Sequence, residues 1–435
     1  MTKETNLAIY GGKPLRSRPW PQWPVVGKET ERVLIEVLNS GRWAVSGPYT
    51  GQPSFERKFA ESFATYCGVP YCLPVCNGTA GLDVALRALG VGYGQEVLVP
   101  GLTWVACASA VIRAGAVPLL VDIDTDTLCM SLQAARQTAE RAHRLGAILL
   151  VHAFGAGADI DGFLKLSQDT GIPLIEDCSQ AHGTLIRGRQ VGSYGHIGVF
   201  SMQQTKVLTC GEGGAVITSD DKLYDNLQQL RSDGRRYIES PRVGDLEIEE
   251  VGTVQGYNYS LSEFGAAILY ERLPHLYEQT QVREKNAKYL DSLLQERGLA
   301  IPQQRGKDVD CRTYYAYCAR PCPKAFKGLP ASIAAKAIAA ELGLKVGPIY
   351  KPINETLLYQ PLKSQNLPND SDWRKRLDPC QYDLPNARAA YASYVSLPHS
   401  ALLGNKHDME DIVSAFEKLR SELKTVLARE GGSHT

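Results

Sequence analysis

The chain has 435 residues with 47 basic and 47 acidic side chains, so its formal net charge is zero. That balance argues against a nucleic-acid binder, which needs a basic excess, and against a polybasic membrane anchor. With 44% hydrophobic and 22% charged residues it reads as a globular protein of two or three domains. No apolar run reaches the roughly 18 residues of a membrane span. The opening MTKETNLAIY has no apolar h-region, so no secretory signal is expected. Eleven cysteines, odd in number and without a CxxC, read as reduced thiols of a cytoplasmic protein rather than a disulfide framework or zinc ribbon. The eight histidines form no HExxH, and no metal site is expected.

Residues 1–27 form an arm in which Trp20-Pro21-Gln22-Trp23-Pro24 forbids regular helix. Its two tryptophans call for a surface to pack on. The spacing predicts helices over 28–39 and 54–66, the second with Phe55, Phe59 and Phe63 on a core-facing stripe. From residue 71, strands alternate with helices. Strands are expected at 71–76, 96–99, 117–122, 148–152, 172–176, 197–200 and 215–218, and helices at 79–89, 104–114 and 163–170. Continuous apolar runs such as Ala147-Ile148-Leu149-Leu150-Val151 suit strands buried on both faces. The alternation predicts a large α/β domain over 28–284, with a mostly parallel central sheet and flanking helices. Residues 260–297 read as helix broken at Pro274. A strand at 313–320, a helix at 332–342 and a closing amphipathic helix at 408–427 make 285–435 a smaller C-terminal α+β domain, with 431–435 a disordered tail.

Three segments carry chemistry. Cys76-Asn77-Gly78-Thr79-Ala80-Gly81 ends a strand and opens a helix. It reads equally as a turn capped by Thr79 and as small residues that bring backbone N–H groups to an anion. In the second segment, an apolar strand delivers Glu176 and Asp177 to its carboxyl end, where open α/β sheets bind ligands. Adjacent strand residues point to opposite sides, so the two are a poor acid–base pair. Asp177 is a turn residue or a carboxylate held against a cofactor's ring nitrogen. In the third, a strand ending at Phe200-Ser201 is followed by Lys206, among Gln, Thr, Val and Leu and with no carboxylate beside it. Lys206 is a surface lysine or, partly desolvated, a nucleophile toward a carbonyl. The Gly211–Gly214 bend favours the second by returning the chain beneath it. A helix N-terminus for a phosphate, an aspartate for a ring nitrogen and a lysine for an aldehyde together suit pyridoxal 5′-phosphate (PLP).

Asn77-Gly78-Thr79, Glu176-Asp177-Cys178-Ser179-Gln180-Ala181-His182-Gly183 and Phe200-Ser201…Lys206…Gly211-Glu212-Gly213-Gly214 resemble the DegT/DnrJ/StrS family of PLP-dependent sugar aminotransferases. The resemblance covers nearly the whole chain from about Gly11. Trp20-Pro21-Gln22-Trp23-Pro24, Gly41-Arg42-Trp43-Ala44-Val45-Ser46-Gly47, Leu102-Thr103-Trp104, Gln203-Gln204 and Asn258-Tyr259-Ser260-Leu261-Ser262-Glu263 resemble the L-glutamine-dependent scyllo-inosose and 2-deoxy-scyllo-inosose aminotransferases in particular. The 3-amino-5-hydroxybenzoate synthases share several of these segments. Met202, Thr205 and Cys76 stand where relatives vary; they leave PLP chemistry intact but blur the choice of substrate.

The resemblance implies a fold-type-I PLP-dependent transferase, a homodimer with shared active sites, and small-molecule substrates for aminocyclitol or aminoglycoside biosynthesis. It implies Lys206 as the lysine that binds PLP covalently and moves protons. Asp177 is implied at the ring nitrogen, Gln180 at the ring hydroxyl and Trp104 on the ring face. Gly78, Thr79 and Ser201 are implied at the phosphate, with Asn258 reaching the phosphate of a neighbouring subunit's cofactor. Arg42, His152, Arg235 and Tyr350 lie in segments resembling the family's substrate pocket; each reads equally as a surface charge, a satisfied core histidine or a packing aromatic. Rival readings are transamination of a nucleotide-linked keto-sugar or a seven-carbon cyclitol ketone, and a catalytically silent partner subunit. The family's dehydratases replace the lysine by histidine, so Lys206 argues against that activity. The intact Asp177, Gln180 and Lys206 argue against a silent subunit.

Overall fold

Two-sided burial turns the apolar runs of the first half into one seven-stranded sheet. The computed structural model describes residues 6–364 and 370–431. The strands are β1 (Tyr71–Val75), β2 (Glu96–Pro100), β3 (Val117–Val121), β4 (Leu145–Val151), β5 (Leu174–Asp177), β6 (Ile197–Ser201) and β7 (Gly214–Thr218). They lie in the order β1-β7-β6-β5-β4-β2-β3. Strands β2 to β6 pair in parallel, while β7 runs antiparallel to both β1 and β6. Parallel strands need helical crossovers, so both faces are covered and β2, β5, β6 and β7 are buried along their whole lengths.

The helices that matter for the site are α1 (Lys28–Ser40), α2 (Phe55–Cys67), α3 (Gly78–Ala88), α4 (Ala106–Arg113), α5 (Leu132–Arg141), α6 (Ile160–Thr170), α7 (Asp221–Arg231), α8 (Glu263–Arg272) and α9 (Leu276–Glu296). Ser54 caps α2 by accepting the Arg57 N–H at 3.2 Å. Phe59 and Phe63 are fully buried on it, each contributing roughly 1.5–3 kcal/mol of apolar burial. The sequence periodicity does not announce α5 or α7. Helix α5 fully buries only Ala135, and in α7 the apolar stripe of Leu227 and Leu230 is interleaved with the buried polar Gln228, Gln229 and Arg231, so both stripes are short and diluted by polar side chains. The helix expected over 260–297 divides into α8 and α9 at a 3-10 turn, Leu273–His275, where Pro274 lacks the N–H that would continue the ladder.

Beyond α9, strands β8 (Ala300–Pro302), β9 (Ala316–Pro321), β10 (Gly347–Pro348) and β11 (Val395–Pro398) form a second, antiparallel sheet in the order β8-β9-β11-β10. The strand expected from 313 begins later, because the Thr313 N–H is drawn to Thr184 Oγ1 at 3.2 Å. Helices α10 (Ala331–Leu342) and α11 (Lys406–Ser421) follow. The closing helix divides after Ser421, with α12 at Leu423–Gly431. Of the expected tail, 432–435 lie outside the described residues.

Two clusters of buried side chains result. One surrounds the large sheet and takes in Ile349, Ile353, Leu384 and Ala387 from the C-terminal part. The other gathers Leu290, Tyr317, Phe326, Ile338 and Phe416. The arm docks on this second cluster: Leu7 joins it, Trp20 Nε1 donates to the Leu342 carbonyl at 2.8 Å, and Arg16 bridges Asp408 at 2.6 Å and Asp411 at 2.7 Å. Among the described residues, no helix is long and apolar enough to cross a membrane.

Candidate active site

Parallel pairing brings three strand ends together. Asp177, the last residue of β5, pairs with Val199 on β6. Ser201, the last residue of β6, pairs with Gly214 on β7. Helix α3 starts against these ends. A Cβ on Gly78 would lie 2.7 Å from Ser201 Cβ, and one on Gly214 would lie 2.7 Å from the Asn77 carbonyl carbon; glycine is what lets the backbones approach. The cap of α3 is Asn77, whose Oδ1 accepts the Ala80 N–H at 2.8 Å, and not Thr79. Gly78 and Thr79 precede the helix's first backbone hydrogen bond, from Gly81 to Asn77, so their N–H groups stand at the positive end of α3, beside the Ser201 side chain.

The loop after β6 folds back on itself as the sequence suggests. The Gln204 N–H donates to the Gly211 carbonyl and the Met202 N–H to the Gly213 carbonyl, both at 2.7 Å. Lys206 is held in this loop with only 8% of its surface exposed. Its Nζ lies 4.2 Å from the centre of the Tyr315 ring. Burial raises the Tyr315 pKa, but the Lys206 charge and hydrogen bonds with Thr205 and Tyr350 outweigh it, leaving the phenol below the ordinary tyrosine value. Burial pushes His182 down to about 3, and the Lys206 charge adds to the effect.

Asp177 is 4% exposed. Its Oδ1 accepts the Ser179 N–H at 2.9 Å and its Oδ2 the Cys107 thiol at 3.1 Å. Glu176 points the other way. It accepts the N–H groups of Gly192 at 2.8 Å, Tyr194 at 2.8 Å and Gly195 at 2.6 Å, and pairs with His152 Nε2 at 3.0 Å. Burial works to raise the Glu176 pKa; the hydrogen bonds outweigh it and hold the carboxyl below its usual value. Gln180 is buried, and its Oε1 accepts the Phe154 N–H at 2.8 Å, which turns the amide NH₂ away from that contact.

The candidate substrate residues separate. Tyr350 stacks on Phe154 with ring centres 5.4 Å apart and approaches Trp104 at 6.2 Å; Trp104 is 51% exposed. Tyr350 also reaches the Tyr315 hydroxyl at 3.5 Å. Phe154, Thr205, Tyr315, Tyr350, Ser396 and His399 line a cavity of about 490 Å³ that Lys206 adjoins through Thr205 and Tyr315. Arg235 and Asn258 belong to another cavity, of about 210 Å³, with Trp43, Ser232 and Ser260. Arg42 and His152 line neither. Arg42 is buried in an ion pair with Glu247. His152 is fully buried, its Nδ1 accepting the Ala158 N–H at 3.0 Å, which leaves Nε2 as the donor to Glu176. His152, Glu176 and Cys178 come within 4.8 Å of one another. Their ring nitrogens and carboxylate oxygens are already engaged, and burial pushes the Cys178 thiol well up, so the cluster is a hydrogen-bonded support of β5. A larger opening of about 520 Å³ between the arm and α9 contains none of the candidate residues.

Sequence reasoning missed Cys107, Phe154, Tyr315 and His399. Phe154 lies in the glycine-rich turn after β4, a signal that could have found it; Cys107, Tyr315 and His399 sit in no such turn, and each meets the site through a partner distant in the chain.

The chain matches the model of the DegT/DnrJ/EryC1/StrS aminotransferase family over residues 24–417. It belongs to that family. The aminotransferase is 47% identical to an L-glutamine:2-deoxy-scyllo-inosose aminotransferase of Streptomyces fradiae, over 95% of this chain and 97% of that one. It is 43% identical to an L-glutamine:scyllo-inosose aminotransferase of Streptomyces griseus, over 97% and 99%. Among solved structures, 3-amino-5-hydroxybenzoic acid synthase superposes with a TM-score of 0.77 at 29% identity, covering 95% of this chain and 100% of that one. The fold is that of the PLP-dependent aminotransferases, and PLP is the cofactor the family implies. The residues present fit it: the aminotransferase combines a helix start that a Cβ would fill, a buried aspartate at the end of β5 and a buried lysine in the loop after the adjoining β6.

Proposed function

We propose that the aminotransferase transfers the amino group of L-glutamine to a keto-cyclitol of the scyllo-inosose or 2-deoxy-scyllo-inosose type, in aminoglycoside or related aminocyclitol biosynthesis. The near-full-length likeness to proteins of those activities carries this reading. The hydroxyl and imidazole groups of Thr205, Tyr315, Tyr350, Ser396 and His399, set among the apolar side chains of the 490 Å³ cavity, support it, because a polyhydroxylated ring is selected by hydrogen bonds.

When bound, PLP supplies an electron-withdrawing ring that carries the amino group between the substrates. In our reading, the Gly78 and Thr79 N–H groups and the Ser201 hydroxyl hold its phosphate, with Asn258 contributing from a second subunit. Asp177 keeps the ring nitrogen protonated. Gln180 presents its NH₂ to the ring hydroxyl, and Trp104 covers a ring face. Lys206 holds the cofactor and, once released, takes and returns the proton at the reacting carbon. Tyr350 and Arg235 contact substrate; Arg42 and His152 act from behind, through Glu247 and Glu176.

The same proposal includes a homodimer. Val26, Ile35, Leu38 and Trp43 in the arm and α1 region, with Tyr270 and Tyr277 on α8 and α9, are exposed apolar side chains, and α1 packs beside α8. It also includes the division into arm 1–27, large domain 28–284 and small domain 285–435, supported by the two buried clusters. A cytoplasmic setting accords with eleven free thiols.

A panel of amine donors against scyllo-inosose, 2-deoxy-scyllo-inosose and nucleotide-linked 4-keto-sugars tests the reading. Glutamine with an inosose should be the best pair; failure of glutamine as donor would refute the aminocyclitol assignment. Lys206→Ala should be colourless and inactive, and retained turnover would end the role given to that lysine.

A further inference from the structure

Asp177 is oriented by two hydrogen bonds of different strength. A backbone N–H, from Ser179, meets Oδ1 at 2.9 Å, and the Cys107 thiol meets Oδ2 at 3.1 Å. Cys107 sits in the first turn of α4, three residues after Trp104. Cys107 is 1% exposed, and Thr103 Oγ1 lies 3.8 Å from its sulfur, so the thiol is fixed from both sides.

We propose that Cys107 is a positioning residue for Asp177: its thiol holds Oδ2 in place for the cofactor's ring nitrogen without neutralising the carboxylate. The inference rests on the ring-nitrogen role given to Asp177. An S–H group is a weak donor. An arginine or lysine at this position would form a charge-assisted bond and draw negative charge away from the ring nitrogen. A thiol fixes the carboxylate rotamer while leaving its charge and a lone pair on Oδ2 available. The donor persists across the working range, because burial first, and then the charge of Asp177 and its hydrogen bond, push the Cys107 pKa well above that of a free thiol. The thiol therefore stays S–H and is no nucleophile.

The test uses Cys107→Ser, which keeps a donor, and Cys107→Ala, which does not. Loss of this weak donor frees the carboxylate to leave its rotamer, so Cys107→Ala should lose about threefold to tenfold in kcat with little change in KM. Cys107→Ser should recover most of that loss. The visible absorbance of the PLP-loaded Ala variant should also shift its pH dependence, a change that a packing role would not produce. Wild-type kcat and pH profile in Cys107→Ala would overturn the proposal. Should either variant fail to fold, the infrared S–H stretch of the cofactor-free protein decides. A low-frequency component from the thiol bonded to carboxylate should move up in Asp177→Ala, and an unmoved band would refute the contact. Asp177→Ala also separates the two ideas. If it keeps full turnover, the ring-nitrogen reading fails; if it is inactive while Cys107→Ala is normal, only the thiol's role fails.

Discussion

The Lys206 Nζ lies 4.2 Å from the centre of the Tyr315 ring, and among the described residues the lysines paired with carboxylates are Lys165, Lys288, Lys375 and Lys418. The Lys206 charge is met by a π face inside a pocket wall whose hydroxyls come from Thr205, Tyr315 and Tyr350. A cation held this way is not locked by a counter-ion, which suits the cofactor-binding role proposed for Lys206.

The contact gives the first prediction. Burial raises the Tyr315 pKa, and the lysine charge and two hydrogen bonds more than offset it. Tyr315 should therefore ionise at lower pH than an ordinary tyrosine in the cofactor-free protein. Ultraviolet titration, with Tyr315→Phe subtracted, measures this. Lys206→Met should move the transition upward; no movement would mean that the ammonium does not act on the ring.

Acid stability follows from His182. Burial pushes its pKa down to about 3, whereas an unfolded histidine titrates near 6.5. Between those values the unfolded chain binds a proton that the folded chain does not, so stability is fully present above about pH 6.5 and falls as pH drops toward 3. His399, driven well down by burial, adds to the slope. The melting temperature should fall steeply below pH 6.5. His399→Gln, which can keep a donor toward the Thr205 carbonyl, should flatten the decline; an equal slope in both proteins would remove His399 from this account.

Gly78→Ala places a methyl group 2.7 Å from Ser201 Cβ and 3.1 Å from Ser201 Cα. Part of that clash is with backbone and has no flexible exit. The strand end and helix start must separate, so PLP affinity should weaken at least about tenfold while the rest of the fold persists. Equilibrium dialysis of the cofactor checks this, and unaltered affinity would rule out the cradle.

Arg42 and Glu247 form a buried ion pair. Removing one partner leaves an uncompensated buried charge, which costs about 3–5 kcal/mol. Arg42→Ala should lower the urea midpoint, and joint replacement with Glu247→Leu should recover part of the loss. A large rise in substrate KM at unchanged stability would instead make Arg42 a direct substrate contact.

Much of the site is legible from the chain alone because strand ends concentrate function. The apolar runs before Asp177 and Ser201 identify buried strands, and the residue that follows such a run emerges at the ligand-binding edge of the sheet. The glycine-rich return after Lys206 likewise names its own loop. Helices α5 and α7 escape notice because their apolar residues are few: α5 fully buries a single alanine, and α7 sets Leu227 and Leu230 among buried polar groups, so the periodic trace in each is faint.

Apolar periodicity, proline placement and glycine turns thus determine the α/β class, the break at Pro274 and the identities of Asp177 and Lys206, since each acts through backbone geometry within a few residues. Folding alone decides which distant side chains meet them. Cys107 reaches Asp177 across 70 positions, Glu247 closes on Arg42 across 205, and Tyr315 arrives from the bend just before β9 to sit against Lys206. Those meetings depend on loop closure and packing, which leave no local pattern in a chain whose charges sum to zero.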